Sequence, residues 1–135
     1  MAQAEIWRLL GNKGDRVPFI VADATAIAKG DFLELTDPMT VIPHAGNVDV
    51  PIVGIAAHEK KASDGHLLIT GITNCIFKAF TLSGGTATIG DPVSMGNSAG
   101  KVDLASSLDL EKGFTVGISY ENVGNAESGL FRSTF

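Results

Sequence analysis

Hydrophobic residues along this chain fall in short runs separated by polar turn residues. Runs rich in Val, Ile, Thr and Phe alternate with clusters of Gly, Pro, Asn and Asp, a pattern typical of short strands joined by turns. Long helices need an uninterrupted periodicity of about 3.6 residues, which this pattern lacks. The sequence therefore predicts a mostly β fold, a compact small β-sandwich or barrel-like domain with a short helical turn at most.

The bounds of the predicted elements follow from the apolar runs and the turn residues between them. Strands are predicted over residues 17–21, 31–35, 40–42, 52–57, 66–72, 75–80, 92–95, 101–102, 114–120 and 129–135. The helical turn is predicted over residues 106–112. Above this level, we expect an N-terminal arm over residues 1–15 and a single β domain over residues 16–135.

A strand-turn-strand motif occurs twice in the β domain. Gly30-Asp31 opens an apolar run that leads to Val53-Gly54-Ile55. Gly90-Asp91 opens a second run that leads to Val116-Gly117-Ile118. Because Gly tolerates positive φ and Asp hydrogen-bonds its own turn backbone, Gly-Asp before an apolar run indicates a turn that enters a strand. The duplication indicates a scaffold, since neither copy contains reactive side chains that could act together.

The N-terminal segment contains apolar anchors in a stretch too short to fold alone. Ile6, Trp7, Arg8 and Leu10 precede a Gly-rich stretch that separates them from the first predicted strand. Trp and Arg are over-represented among residues that anchor interfaces, so we expect this segment to dock onto a neighbouring subunit or a larger surface. The alternative is a strand or helical turn packed on its own domain.

Residues 67–100 contain only two charged side chains although they are rich in apolar ones. The predicted strand over residues 75–80 places apolar groups on both faces of the sheet, and we expect Ile76, Phe77 and Phe80 to contact a partner. Charge depletion of this kind accompanies the cores of interfaces. The alternative is that a single sandwich or barrel covers both faces itself.

Composition and charge limit the classes of partner. A chain of 135 residues fits one domain with a real core. Its net charge of -5 argues against a nucleic-acid partner, because phosphate binding needs clustered Lys and Arg. Neither a secretory signal nor an apolar run of about 20 residues is visible, so no membrane partner is expected. Cys75 is the one cysteine, which excludes an intrachain disulfide, and its apolar neighbours favour a buried thiol.

Candidate catalytic residues form no established pattern. His58, Glu59, Asp64 and His66 flank one predicted hairpin loop and are a conceivable metal set, but their spacing matches no known ligand motif. A solvated loop is the favoured interpretation. Ser94 lacks the preceding Gly of a nucleophile elbow. We therefore expect no enzyme, no bound metal and no cofactor.

The order of the turn motifs resembles that of a known family. The motifs are Ala28-Lys29-Gly30-Asp31, Val53-Gly54-Ile55-Ala56-Ala57, Asp64-Gly65, Ile89-Gly90-Asp91-Pro92-Val93, Gly100-Lys101-Val102 and Val116-Gly117-Ile118. Across residues 25–120 this order is similar to that of the capsid decoration (cement) proteins of tailed bacteriophages. The resemblance implies a compact β protein that binds the outside of an icosahedral head and needs no catalytic residue.

The same resemblance implies partners and a location. The partners would be the major capsid protein and further copies of the chain in a homotrimer, and a terminal arm would contact the shell. The protein would be made in the host cytoplasm and reside on the capsid exterior of the virion. The alternatives are a phage tail or baseplate structural protein and a carbohydrate-binding β module, the latter disfavoured because Trp7 and Tyr120 are the only large polar aromatics.

Overall fold

Short strands with alternating burial make up the whole described fold. The computed structural model describes residues 3–10, 15–48, 50–82, 86–105 and 114–135. The strands in these residues are β1 (Glu5–Leu9), β2 (Asp15–Ile20), β3 (Phe32–Asp37), β4 (Thr40–Pro43), β5 (Ile52–Ala56), β6 (Leu68–Thr73), β7 (Cys75–Thr81), β8 (Pro92–Met95), β9 (Lys101–Leu104), β10 (Thr115–Ser119) and β11 (Ser128–Ser133). The described residues contain no helix, which confirms the mostly β prediction. The helical turn predicted over residues 106–112 lies outside the described residues.

Strands β2 to β6 close into a first barrel in the order β2-β4-β3-β5-β6. β2 pairs antiparallel with β6 along its length, and a parallel pairing of Ile20 with Thr40 closes the ring. Because neighbouring residues of a strand point to opposite faces, alternate side chains fill the interior. The interior residues are Phe19, Val21, Ile27, Leu33, Val41, Ala56 and Ile69.

Strands β7 to β11 form a second barrel. Their order is β7-β11-β10-β8-β9, and β7 pairs again with β9. This second closure is parallel, with Phe80 opposite Lys101. β1 adds to the exposed edge of β7 as an antiparallel sixth strand of the sheet.

The two barrels repeat one topology, so the motif repeat in the sequence corresponds to a repeat of the fold. In each, the first strand pairs in parallel with the third and antiparallel with the fifth. Gly30 and Gly90 occupy equivalent turns with φ of 89° and 87°. The carboxylates of Asp31 and Asp91 each accept a hydrogen bond of 2.9 Å from the backbone N–H three residues earlier. Gly with positive φ followed by a turn-binding Asp is therefore the shared entry into β3 and β8.

The outer wall of the first barrel packs against the second barrel. Phe32, Ile55 and Ile72 point away from the first interior and belong to the same buried cluster as Phe77 and Phe131. The rings of Phe32 and Phe77 meet edge to face with centroids 5.5 Å apart. This shared cluster joins the two barrels into one body.

The N-terminal segment packs on its own chain over residues 5–9, the alternative that the sequence left open. β1 pairs with β7, and its register shifts between Ile6 and Arg8, so that Trp7 is the extra residue of a β-bulge. The bulge turns Ile6 and Leu9 toward the core, where both are partly buried. The backbone N–H of Leu10 donates to the carbonyl of Asn74 at 3.0 Å, which extends this pairing beyond the strand.

Candidate binding surface

The outer face of the sheet formed by β1, β7, β11 and β10 brings together four of the predicted interface residues. We call this surface the outer face, and its residues are Glu5, Trp7, Arg8, Ile76, Lys78, Phe80, Ile118, Tyr120, Leu130 and Arg132. Trp7 and Arg8 come from the N-terminal segment, whereas Ile76 and Phe80 come from the charge-poor region. Two separate predictions therefore fall on one surface.

One row of residues crosses this face from edge to edge. Arg8 lies opposite Ile76, Ile76 opposite Arg132, and Arg132 opposite Ile118 on successive strands. Residues directly opposite each other in antiparallel strands share a face and contact one another. The guanidinium of Arg8 also lies 5.0 Å from the centroid of the Trp7 ring, which keeps the ring beside this row.

A second row runs parallel to the first. Glu5 lies opposite Lys78, and Lys78 opposite Leu130. The backbone N–H of Tyr120 donates to the carbonyl of Leu130 at 2.9 Å, which places Tyr120 at the end of the row. Phe80 lies two residues beyond Lys78 on the same side of β7. The outer face thus combines positively charged side chains with aliphatic and aromatic ones.

The alternation of β7 explains why this face exists. Cys75, Phe77, Ala79 and Thr81 are buried, while the residues between them are exposed or half-buried. Period-two alternation sends each set to one side of the sheet. Apolar residues at the outward positions are therefore left to contact solvent or a partner.

The remaining predicted interface residues lie elsewhere. Phe77 is fully buried, with Phe32, Phe131 and Phe135 packed around its ring, and this corrects its assignment to an interface. Ile6 is half-buried and packs against the same cluster. Leu10 is half-buried beyond the end of β1. The charge-poor region therefore supplies core as well as surface.

A smaller exposed apolar patch lies at one end of the first barrel. This barrel-end patch consists of Ile20, Met39, Leu67 and Leu68, all exposed. Ile20 lies opposite Leu68, and its backbone N–H donates to the carbonyl of Met39 at 2.6 Å. The patch thus lies where the end of β2, the start of β6 and the turn between β3 and β4 meet.

Of the four loop residues that the sequence singled out, Asp64 is held by its own loop, while the His66 ring is largely exposed. Asp64 accepts hydrogen bonds from the backbone N–H groups of Lys61 and His66, at 3.2 and 2.9 Å, and contacts the His66 ring at 3.2 Å. The His66 N–H in particular lowers the pKa of the Asp64 carboxyl well below its ordinary value. Among the described residues, no group of three or more His, Cys, Asp or Glu side chains is arranged to hold a metal ion.

Lys60 is a buried cation that sequence reasoning missed. It is 2% exposed, and its Nζ donates to the carbonyls of Asp23, Thr25 and Lys61 at 2.8, 3.0 and 3.2 Å. Asp64 Oδ1 lies 3.3 Å from the same nitrogen. The ammonium thus ties together two loops that are far apart in sequence. The oxygens around it, which we call the Lys60 cage, compensate its charge.

Cys75 is buried, as the sequence predicted. Removal from water disfavours the thiolate, and this burial raises the pKa of Cys75 to about 11. The hydroxyl of Ser133 accepts a 3.0 Å hydrogen bond from the Cys75 backbone N–H. At neutral pH the group is therefore a neutral thiol, unsuited to nucleophilic attack.

A shallow cleft lies beside the first barrel. Gln3, Asp31 and Glu59 are among its lining residues. The Asp31 carboxylate is already engaged, because it accepts hydrogen bonds from Gln3 Nε2 at 3.1 Å and from the Ala28 backbone N–H at 2.9 Å. The carboxylate thus stabilises the turn that opens β3.

The chain matches no protein-family model, and no curated protein matches it. Within the described residues, no helix has the length and hydrophobicity that crossing a bilayer requires.

Proposed function

We propose that this chain is a virion structural protein that decorates the outside of an icosahedral phage capsid and stabilises it by bridging major capsid subunits. The observation that carries the proposal is the outer face, where exposed aromatic and aliphatic side chains share one sheet surface with Arg8 and Arg132. Trp, Tyr and Arg are the residue types that dominate binding energy at protein interfaces. The class of partner comes from the motif order, which resembles that of capsid decoration proteins.

The mechanism follows from binding alone. A protein that contacts two neighbouring shell subunits favours the assembled shell over its separated parts, and many such contacts add by mass action. The paired barrels suit this role because their shared core keeps the outer face in a fixed shape. No cofactor takes part in this mechanism.

The proposal includes a homotrimer on the capsid. The barrel-end patch supports it, since exposed apolar side chains grouped on one surface mark sites of association. With the outer face on the shell, the patch at the end of the other barrel is left to contact neighbouring copies. Sedimentation equilibrium of the free protein tests this part, with Leu68→Lys as the disrupting variant and the exposed Leu104→Lys as its control.

Binding to heads tests the main proposal. Heads of the virus that carries this chain, assembled without it, are mixed with the purified protein and sedimented. We expect saturable co-sedimentation and a higher temperature of head disruption. A protein that stays in the supernatant at every concentration contradicts the proposal, and binding to isolated tails or baseplates instead assigns the chain to those structures.

Two exposed β-branched residues provide a matched pair of variants. Ile118 lies on the outer face and is 41% exposed, whereas Val48 is 52% exposed and lies beside Met95 and Gly96, which do not belong to that face. Ile118→Asp is expected to weaken head binding at least about tenfold, while Val48→Asp leaves it unchanged. Equal binding by both variants contradicts the use of the outer face.

A further inference from the structure

The fold repeat allows one surface of the second barrel to be compared with its equivalent on the first. On the first barrel, Phe32 lies opposite Ile55, and Ile55 opposite Ile72. On the second, the equivalent row is Pro92, Ile118 and Arg132, with the same strand pairings. The two rows occupy the same place on the same topology.

The two rows differ in what covers them. Phe32, Ile55 and Ile72 are buried because the second barrel packs on them. Ile118 and Arg132 are exposed, and no described part of the chain covers them. The position that carries a barrel contact in the first repeat is therefore open in the second. Arg132 occupies the position equivalent to Ile72. The second row therefore has a charge where the first row has an apolar side chain in the contact between barrels.

The charge of the outer face is opposite to that of the chain. The chain has a net charge of -5. Among the described residues, the outer face has three cationic side chains, Arg8, Lys78 and Arg132, and one carboxylate, that of Glu5. Arg8 and Arg132 flank Ile76 from the two neighbouring strands, so their backbones are about 10 Å apart. Such spacing allows each guanidinium to pair with a separate carboxylate.

We propose that the outer face docks onto an acidic protein surface, whose carboxylates pair with Arg8, Lys78 and Arg132 around an apolar centre. The identification of that surface as part of a capsid shell rests on the proposed function, whereas its acidic chemistry rests on the face itself. Ile76, Ile118 and Leu130 supply the apolar contact between the charges. Complementary charge raises the association rate and selects the partner, and the apolar centre supplies affinity.

A nucleic acid fits this surface less well than a protein. Three cations with a carboxylate among them neutralise few phosphates, and affinity for nucleic acid depends on that number. The Arg8 guanidinium lies over the Trp7 ring, so one face of that ring is not free to stack on a base. Aliphatic side chains between the charges contribute to protein contacts but do not stack on bases.

A direct test uses poly-L-glutamate with the isotope-labelled full chain. Nuclear magnetic resonance titration is expected to shift backbone signals of Arg8, Lys78 and Arg132, with poly-L-lysine producing no such shifts. The double variant Lys78→Glu with Arg132→Glu should lose at least about tenfold in affinity. The control reverses Lys29 and Lys61, which are exposed outside this face.

Three results of this titration overturn the proposal. The first is equal binding by the double variant and its control, and the second is a set of shifts away from the outer face. The third is tighter binding of single-stranded oligodeoxythymidine at the same residues, which assigns the face to nucleic acid. Concentration-dependent broadening at Ile118 and Arg132 without any probe makes a second copy the occupant and likewise overturns it.

The same variants on heads separate this proposal from the proposed function. If the wild type binds heads and the double variant binds equally well, the acidic-partner proposal fails while capsid decoration stands. If the wild type does not bind heads but poly-L-glutamate shifts the outer face, decoration fails and the acidic-partner proposal stands. Loss of head binding in the double variant alone supports both.

Discussion

Phe32 of the first barrel meets Phe77 of the second edge to face, with ring centroids 5.5 Å apart and ring planes at 80°. Edge-to-face pairs of this kind add stabilisation beyond the area that they bury. Because the contact joins the two repeats, we expect them to unfold in a single transition. Two separate transitions in urea, followed by circular dichroism and by Trp7 fluorescence, would contradict a shared core.

Truncation of the same ring tests the core more sharply. Phe77→Ala is expected to lower the free energy of unfolding by about 3–5 kcal/mol, because it empties the centre of the cluster. Phe80→Ala is the control on the same strand, where the side chain is exposed and the change should stay within about 0.5 kcal/mol. Urea denaturation measures both, and similar values for the two variants would refute the burial assigned to β7.

Replacement of the buried lysine should also be costly. Lys60→Ala leaves the carbonyls of Asp23 and Thr25 and the carboxylate of Asp64 without their shared donor. We expect a loss of about 1–3 kcal/mol in the free energy of unfolding, because buried carbonyl groups are left without a donor. Lys61→Ala, at an exposed neighbouring position, should change it by no more than about 0.5 kcal/mol. Comparable stability of the two variants in urea would contradict a structural role for the Lys60 cage.

Asp64 should make stability depend on acid pH. Its folded-state pKa lies below its ordinary value, chiefly because the His66 backbone N–H donates to the carboxylate. The stabilisation is therefore complete above about pH 4 and is lost as the pH falls toward the lowered pKa. Thermal unfolding at steps from about pH 6 to pH 2 should show a smaller fall in Tm for Asp64→Asn than for the wild type. Parallel curves would contradict this assignment.

Cys75 should resist modification while the protein is folded. Burial raises the pKa of its thiol to about 11, so the reactive thiolate is scarce and inaccessible at neutral pH. We expect a thiol reagent to label Cys75 only in denaturant, with mass spectrometry as the readout. Rapid labelling of the native protein would place the side chain at the surface.

Local pattern was sufficient to predict the fold class and most of the strands. The alternation around Phe77 located β7, predicted over residues 75–80 and observed at Cys75–Thr81. The motifs at Gly30 and Gly90 indicated a repeat, although the full barrel topology depends on pairings between distant strands. The sequence leaves β1 open between an arm and a packed element, because so short a stretch does not fold alone and its pairing with β7 joins distant parts of the chain.

The candidate site was predicted only in part, because burial depends on contacts that the sequence does not display. Phe77 and Phe80 look alike as apolar residues of one strand, and the packing of Phe32 on one of them separates their roles. Nothing in the sequence distinguishes Lys60 from a surface lysine, because the carbonyls that it binds are backbone groups that every residue has. The sequence does not show that Arg132 lies opposite Ile118, because this depends on the register between β10 and β11.

Cryo-electron microscopy of heads decorated with the full chain tests the central claim most directly. Decoration through the outer face predicts density for each copy with Trp7, Ile118 and Arg132 against the shell and acidic shell residues opposite the arginine. Copies bound to the shell with these three side chains directed to solvent would contradict the assigned surface, and heads without added density would contradict capsid decoration itself.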